Sequence, residues 1–276
     1  MDKKNLVKQY LLISDYFQKP FPYDLYQTLG FNKKNIPQNY FVQNGYILNK
    51  RTKISNAEEA LNLYKKETKR KLRIAKIYLL LLYFFPFVYM IGISGSIAMK
   101  TAIEDDDIDV FIICDKHCMW LTRNLDFLIY TLLGRRRTNI LKNNTVQNKL
   151  CINKYITEQN LKIKTKDIFT ALQIFSLKPI YGKNLYHKML QENNWIYKHS
   201  NTTLTNNFQP DLIFILKKIF TFLFLPALWI CNLISKFIQV KILEKNHESS
   251  YYFSSQTIET YPRTLKKDIQ NYLKIN

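Results

Sequence analysis

Hydrophobic positions in the first sixty residues start with a helical period and then change to a strand-like one. In NLVKQYLLISDYF, Leu6, Tyr10, Ile13 and Phe17 fall on one helical face. Pro20 and Pro22 stop that helix, and Asp24–Leu29 predicts a short second helix closed by Gly30. NYFVQNGYILN then turns β-prone around Asn44-Gly45, which predicts a hairpin. Helix, short helix and hairpin outline a winged helix, so 1–60 reads as a winged-helix-like module. The same outline fits a capping subdomain that binds nothing.

Between positions 56 and 82 the pattern is helical again. Asn56 is a candidate N-cap, Glu58 and Glu59 lie in the first turn, and Ala60, Leu63, Leu72, Ala75 and Leu79 form a stripe. The apolar run continues to Ser94, long enough to resemble a membrane span. Pro86 breaks it, because proline removes a backbone donor and clashes with the preceding turn. A helix ending near Phe84 followed by a buried strand, FVYMIGI, accounts for both halves. DIDVFIICD predicts a second strand and KLCINKYIT a third. CMWLTRNLDFLIYTLLG between them predicts a helix stopped by Gly134. Two further helices, KDIFTALQIFSLKPIYG and NLYHKMLQENNWIYK, are parted by Pro179 and Gly182.

The expected architecture is α+β: a mixed sheet with flanking helices at 61–165, preceded by the 1–60 module and followed by a helical C-terminal region, 166–276. The most apolar part of that last region is 212–238. Ile219–Ser235 carries no charge and reaches the short end of what spans a bilayer. Pro226 and Asn232 interrupt it and Lys217, Lys218 and Lys236 flank it, so it reads as a packed helix pair or as a helix touching a membrane surface. The N-terminus has no long apolar stretch and no small-residue cleavage site, which points to a cytoplasmic protein, in the second case peripheral to a membrane.

Composition narrows the partners. At 276 residues with 47% hydrophobic content the chain can bury a sizeable core and is not disordered. It carries 41 Lys+Arg against 21 Asp+Glu, which favours anionic partners: nucleic acid, nucleotides or acidic lipid. Abundant Lys, Asn, Ile and Tyr show that compositional bias contributes to that excess. The four cysteines, Cys114, Cys118, Cys151 and Cys231, are too scattered for a disulfide framework. Cys114, Asp115, His117 and Cys118 lack the second pair that a zinc site needs, so structural thiols are expected.

Against this basic background, Glu104, Asp105, Asp106, Asp107 and Asp109 stand together before an apolar strand. Adjacent carboxylates repel unless a cation sits among them. In DIDV, Asp107 and Asp109 face one side of the strand and Ile108 and Val110 the other. Two carboxylates on one face form a mount for a hard divalent cation such as Mg²⁺ or Mn²⁺, shared with substrate phosphates. Gly95-Ser96, at the end of the preceding strand, offers close backbone approach and a hydroxyl donor to a phosphate. Glu104, Asp105 and Asp106 read as a solvated loop.

Gly95-Ser96, ten intervening residues, then Asp107-Ile108-Asp109-Val110 resembles the signature of the nucleotidyltransferase superfamily of the DNA polymerase β type. The helix and strand order extends the resemblance over about 70–160. FPFVYMIGISGSIA, DDDIDVFII, MWLTR and LKPIYG, with the winged-helix outline, look like a bacterial group of nucleotidyltransferase-domain proteins. The resemblance implies attack on the α-phosphate of a nucleoside triphosphate with release of pyrophosphate, and metal held by Asp107 and Asp109. It implies nucleotide contacts from Gly95 and Ser96, with Lys100, Arg123, Arg135–Arg137 and Lys149 as further phosphate candidates. The acceptor is left open among RNA, protein, sugar and small molecule. One departure stands out. The superfamily's third acid, on the next strand, is missing from KLCINKYIT; Asn153 stands near its place and Glu158 just past the strand. Either could complete the metal set. A catalytically weak or inactive nucleotide- or nucleic-acid-binding protein, or a membrane-surface transferase, are the alternatives.

Overall fold

The computed structural model describes residues 2–51, 57–137, 146–203, 208–245, 252–254, 257–259 and 263–275. Asn56, read as a cap, lies outside the described residues. At the N-terminus α1 (Lys3–Tyr16) buries Leu6, Tyr10 and Ile13, while Phe17 lies past the last turn and stays 40% exposed. Then come β1 (Phe21–Pro22), α2 (Tyr23–Thr28), β2 (Tyr40–Gln43) and β3 (Tyr46–Asn49), in an antiparallel sheet of order β1-β3-β2. Asn44 and Gly45, with φ of 48° and 83°, make the tight turn between β2 and β3.

The chain continues as α3 (Ala57–Tyr83), β4 (Val88–Ile93), a single turn α4 (Gly95–Ala98), β5 (Ile108–Cys114), α5 (Met119–Leu132) and β6 (Leu150–Thr157). The expected stripe on α3 holds only at its C-terminal end, where Ala75, Leu79 and Leu82 are buried; Leu63 is exposed. Nearer the N-terminus the buried positions are Leu61, which packs on Tyr46 and Leu48 of β3, and Glu67, Thr68 and Lys71, the last reaching the loop before β5.

The rest comprises α6 (Ile168–Ser176), β7 (Lys178–Tyr181), α7 (Lys183–Glu192), α8 (Leu212–Leu223), α9 (Leu225–Lys245), β8 (Tyr252–Phe253), β9 (Thr257–Glu259) and α10 (Arg263–Ile275). The 166–276 span is therefore not a helical region of its own. Its strands extend a six-stranded mixed sheet of order β7-β4-β5-β6-β9-β8, in which β5 and β6 run parallel and the other neighbours antiparallel. The 1–60 module is not self-contained either. Leu6, Tyr10 and Phe21 share one core with Ile168, Phe169 and Leu172 of α6 and Ile269 of α10. Strands this short bury too little to stand alone.

One sheet face packs on α3 and α5, the other on α6 and α7. α9 lies on α5, and its packing is inside out. Asn232, Ser235 and Gln239 are buried, and Asn232 Oδ1 accepts from the Trp120 and Leu121 N–H groups at 2.9 and 3.0 Å, closing the first turn of α5. Large apolar residues face outward: Trp229, Ile230, Ile234 and Phe237 of α9 each keep half or more of their surface in solvent. Among the described residues α9 is the one helix long and apolar enough to cross a membrane, with 17% of its apolar window buried.

Candidate functional site

The alternation of β5 puts Ile108, Val110, Ile112 and Cys114 into the core shared with α3 and α5. Asp107, Asp109 and Phe111 take the other side. At the neighbouring strand end, the Ser94 N–H donates to the Asp109 carbonyl at 3.0 Å, and the chain turns sharply into α4. Gly95 makes that turn with φ of 65°, and its Cα lies against the Asp109 carboxylate; a Cβ there would collide with Oδ2.

On the other flank, Asp109 is opposite Cys151 of β6, in parallel register. Ile152 then pairs with Val110 and Lys154 with Phe111, so β6 carries one residue more than β5 at this point. The extra residue is Asn153. It is buried, and its Nδ2 donates to Asp109 Oδ1 while its Oδ1 accepts from the Cys151 thiol at 2.9 Å. Asp107, Asp109 and Cys151 present ligand atoms within 4.8 Å of one another. Cys151 was not singled out by its sequence position; only the strand register reveals it. Burial, Asp107 and Asp109 push its thiol far up, so it sits here as the neutral S–H.

Burial and then Asp107 raise the Asp109 carboxyl to about 7, against the partial relief from Asn153 and Arg137. Arg137 is the nearest cation. Its Nη1 donates to Asp107 Oδ2 and lies 3.9 Å from the Cys151 sulfur.

The loop before β5 is held, not solvated throughout. Lys71 is fully buried, and its Nζ donates to the carbonyls of Glu104 and Asp106 at 2.8 and 2.6 Å and to Asn148 Oδ1 at 3.1 Å. Burial would raise the Asp106 carboxyl, but hydrogen bonds from Ser96, the Ile103 N–H and Lys19 outweigh it and hold it below the ordinary range. Ser96 is thus engaged by Asp106.

Other residues marked in the sequence lie elsewhere. Lys100 pairs with Asp24 of α2. Arg123 is buried on the opposite sheet face, 5.6 Å over the Tyr155 ring and beside the buried Asp126. Arg135 covers Tyr78, and Arg136 pairs with Asp126; only Arg137 of that run reaches the acids. The Lys149 backbone carbonyl accepts from the Ile108 N–H at 2.8 Å, which makes it a strand partner at the start of β5. Glu158 corrects the expected ligand set. It lies seven residues beyond Cys151 along β6, about 20 Å away at the other strand end, bonded to Lys218 at 2.6 Å. Of the two residues considered for the third position, Asn153 adjoins the acids and Glu158 does not. Among the thiols, Cys114 and Cys118 are buried as expected, whereas Cys231 is exposed on α9.

No protein-family model, curated protein or solved structure matches the chain.

Proposed function

We propose that the protein is a metal-dependent nucleotidyltransferase of the polymerase β type, moving a nucleoside monophosphate from a triphosphate to an acceptor and releasing pyrophosphate. The observation that carries the reading is the contact between the two halves of the motif. Gly95, at the end of one strand, is pressed against the carboxylate of Asp109 on the next, so phosphates approaching that bare backbone would meet the acid pair. The six-stranded mixed sheet with helices on both faces supports it.

The donor set fits a hard divalent cation. Two carboxylates suffice for Mg²⁺, which keeps several waters and shares the rest of its shell with phosphate oxygens, and the neutral Cys151 thiol is a poor ligand for it. When bound, the ion supplies charge to offset that on the transferring phosphoryl group. Asn153 orients Asp109 by donating to it, and as an amide it cannot take a proton from the acceptor. Arg137 balances Asp107 and offers a guanidinium to phosphate.

The test is pyrophosphate release from each of the four nucleoside triphosphates with Mg²⁺ or Mn²⁺, in wild type, Asp107→Asn and Asp109→Asn. Metal-dependent turnover lost in both variants is the expected result. Metal-dependent triphosphate binding without turnover in wild type would establish the non-catalytic alternative, which the amide at position 153 favours.

A second reading concerns location. The inside-out α9 favours a transferase seated on an anionic membrane surface: polar side chains face α5 while apolar ones face away, the arrangement expected of a helix surrounded by lipid. Flotation with phosphatidylglycerol vesicles tests it. Protein that stays at the bottom of the gradient with and without vesicles would exclude it.

A further inference from the structure

Between α3 and the N-terminal module lies an open cleft of about 790 Å³, separate from the acid pair. One wall is a single face of α3 carrying Lys65, Lys69, Arg73 and Lys76. These recur every three or four residues, and like charges at that spacing destabilise a helix. None of the four makes a salt bridge with a described residue. Lys178 of β7 joins them at the floor; burial, then Lys100 and Lys76, depress its ammonium, so the cations crowd one another. Among the described residues the one carboxylate lining the cleft is Asp24, already paired with Lys100. A row of repelling cations whose one neighbouring carboxylate is already paired is a surface lacking its anion.

The length of the row indicates what the anion is. From Lys65 to Lys76 the helix rises about 16 Å, enough to track several successive phosphates. The facing wall offers Tyr23, a partly buried ring stacked on Tyr26 that a base can extend. At the floor, Lys178 pairs with Ile93, which pairs with Val110, so the cleft ends two strand spacings, about 10 Å, from the β5 backbone, on the sheet face opposite the acid pair.

We propose that this cleft binds the sugar–phosphate backbone of a single-stranded nucleic acid, with α3 as the phosphate track. The binding does not depend on the transferase reading above.

The experiment is fluorescence anisotropy of the full chain with labelled single-stranded RNA and DNA oligonucleotides across a salt series, without nucleotide or divalent metal. The variants are Lys69→Ala/Arg73→Ala and, as a charge-matched control, Lys33→Ala/Lys34→Ala on the exposed turn at 33–35. Alanine favours helix, so α3 is kept, and circular dichroism checks it. Loss of two phosphate contacts should weaken binding tenfold or more and reduce the slope of log K against log salt by about 1.4. Equal affinity and slope in the two double variants overturns the proposal. So does complete competition by inorganic tripolyphosphate at equimolar phosphate, which would make the cleft a pocket for short polyphosphates. Because pyrophosphate release is measured separately, a protein that binds RNA without turnover refutes the transferase reading alone. One that turns over triphosphate without binding RNA refutes the cleft alone.

Discussion

The parallel strands β5 and β6 carry two acids at each end, and the two ends are built differently. At the C-terminal end, Asp115 and Glu158 are both buried. Asp115 accepts from the Tyr89 hydroxyl at 2.8 Å and the His117 N–H at 2.9 Å, and Lys218 lies 2.6 Å from Glu158 and 3.6 Å from Asp115. Lys218 also sits 4.7 Å over the Tyr89 ring. At the N-terminal end, Asp107 and Asp109 share one half-exposed Arg137, one amide and a neutral thiol. At the C-terminal end a lysine stands between the two carboxylates, although Glu158 Oε2 has no hydrogen-bond partner among the described residues. Two acids pushed together, one of them raised by burial and then by the other, leave room for a cation. The comparison separates a structural pair from a candidate site, although both look alike as acids beside a strand.

The largest expected difference between the ends is in activity. Asp107→Asn or Asp109→Asn should reduce metal-supported triphosphate turnover by a thousandfold or more, since the ion contributes several kcal/mol to the transition state. Glu158→Gln should leave the metal dependence of turnover unchanged. A Glu158→Gln protein that needs much more Mg²⁺ would make the two ends equivalent after all.

Stability should respond in the opposite sense. Lys218→Met leaves Glu158 and Asp115 facing each other without their cation. Breaking a buried pair costs about 3–5 kcal/mol, and because Lys218 is 37% exposed about 2 kcal/mol is expected here. For a chain of this size that lowers Tm by several degrees. Asp109→Asn, by contrast, removes a repelling charge and should leave Tm unchanged or raise it. A Tm loss in Asp109→Asn as large as that in Lys218→Met would show the acid pair to be structural.

The same contrast predicts a pH dependence. The folded Asp109 carboxyl, near 7, stands above its unfolded value, so it binds its proton more tightly in the folded state. Its contribution to stability is fully present below about pH 4 and is lost as pH rises through 7. Without divalent metal, the stability of wild type relative to Asp109→Asn should fall over that window, by about 1–2 kcal/mol after allowing for its partial exposure. Saturating Mg²⁺ should remove the difference in slope. Parallel Tm-versus-pH curves for the two proteins would mean that Asp109 is not perturbed.

Much of this was legible in the sequence because it is local. The strands around 88–93, 108–114 and 150–157, and the shared face of Asp107 and Asp109, follow from alternation over a few residues. What was not legible depends on pairing between distant segments. That β9, from the polar tail, closes on β6 cannot be read from its three residues. Glu158 looked like a neighbour of the acids because it follows the strand carrying Asn153, but β6 runs parallel to β5, so residues past its end travel away from Asp109. Nothing in the local sequence marks Lys71 among the many lysines; the fold buries it under the acidic loop. On α9 the apolar pattern left a packed helix and a membrane-touching one both open; it did not show that Asn232, Ser235 and Gln239 are the polar side chains buried against the protein, beside Leu228 and Val240.

The smallest effect, and the one that examines the strand register most closely, belongs to Asn153. It is the extra residue of β6, and its amide nitrogen already donates to Asp109. Asn153→Asp replaces that donor with a carboxylate of nearly the same shape. Without metal, a third like charge should raise the pKa of at least one of the three acids further and lower Tm above neutral pH. With metal, the added oxygen should tighten divalent binding by roughly tenfold, in line with about 1.4 kcal/mol from one more charged ligand. If the acceptor hydroxyl needs a base, the new carboxylate supplies one, and single-turnover rates should rise toward the roughly 10²–10⁴-fold that general-base catalysis contributes. Mg²⁺ titration followed by calorimetry reads the first effect, and rapid-quench kinetics the second. Tighter metal binding with an unchanged rate would mean that the site works without a base. Unchanged metal binding would place the 153 side chain away from the ion and make the contact between Asn153 and Asp109 a structural one, like the pair at the other end of the strands.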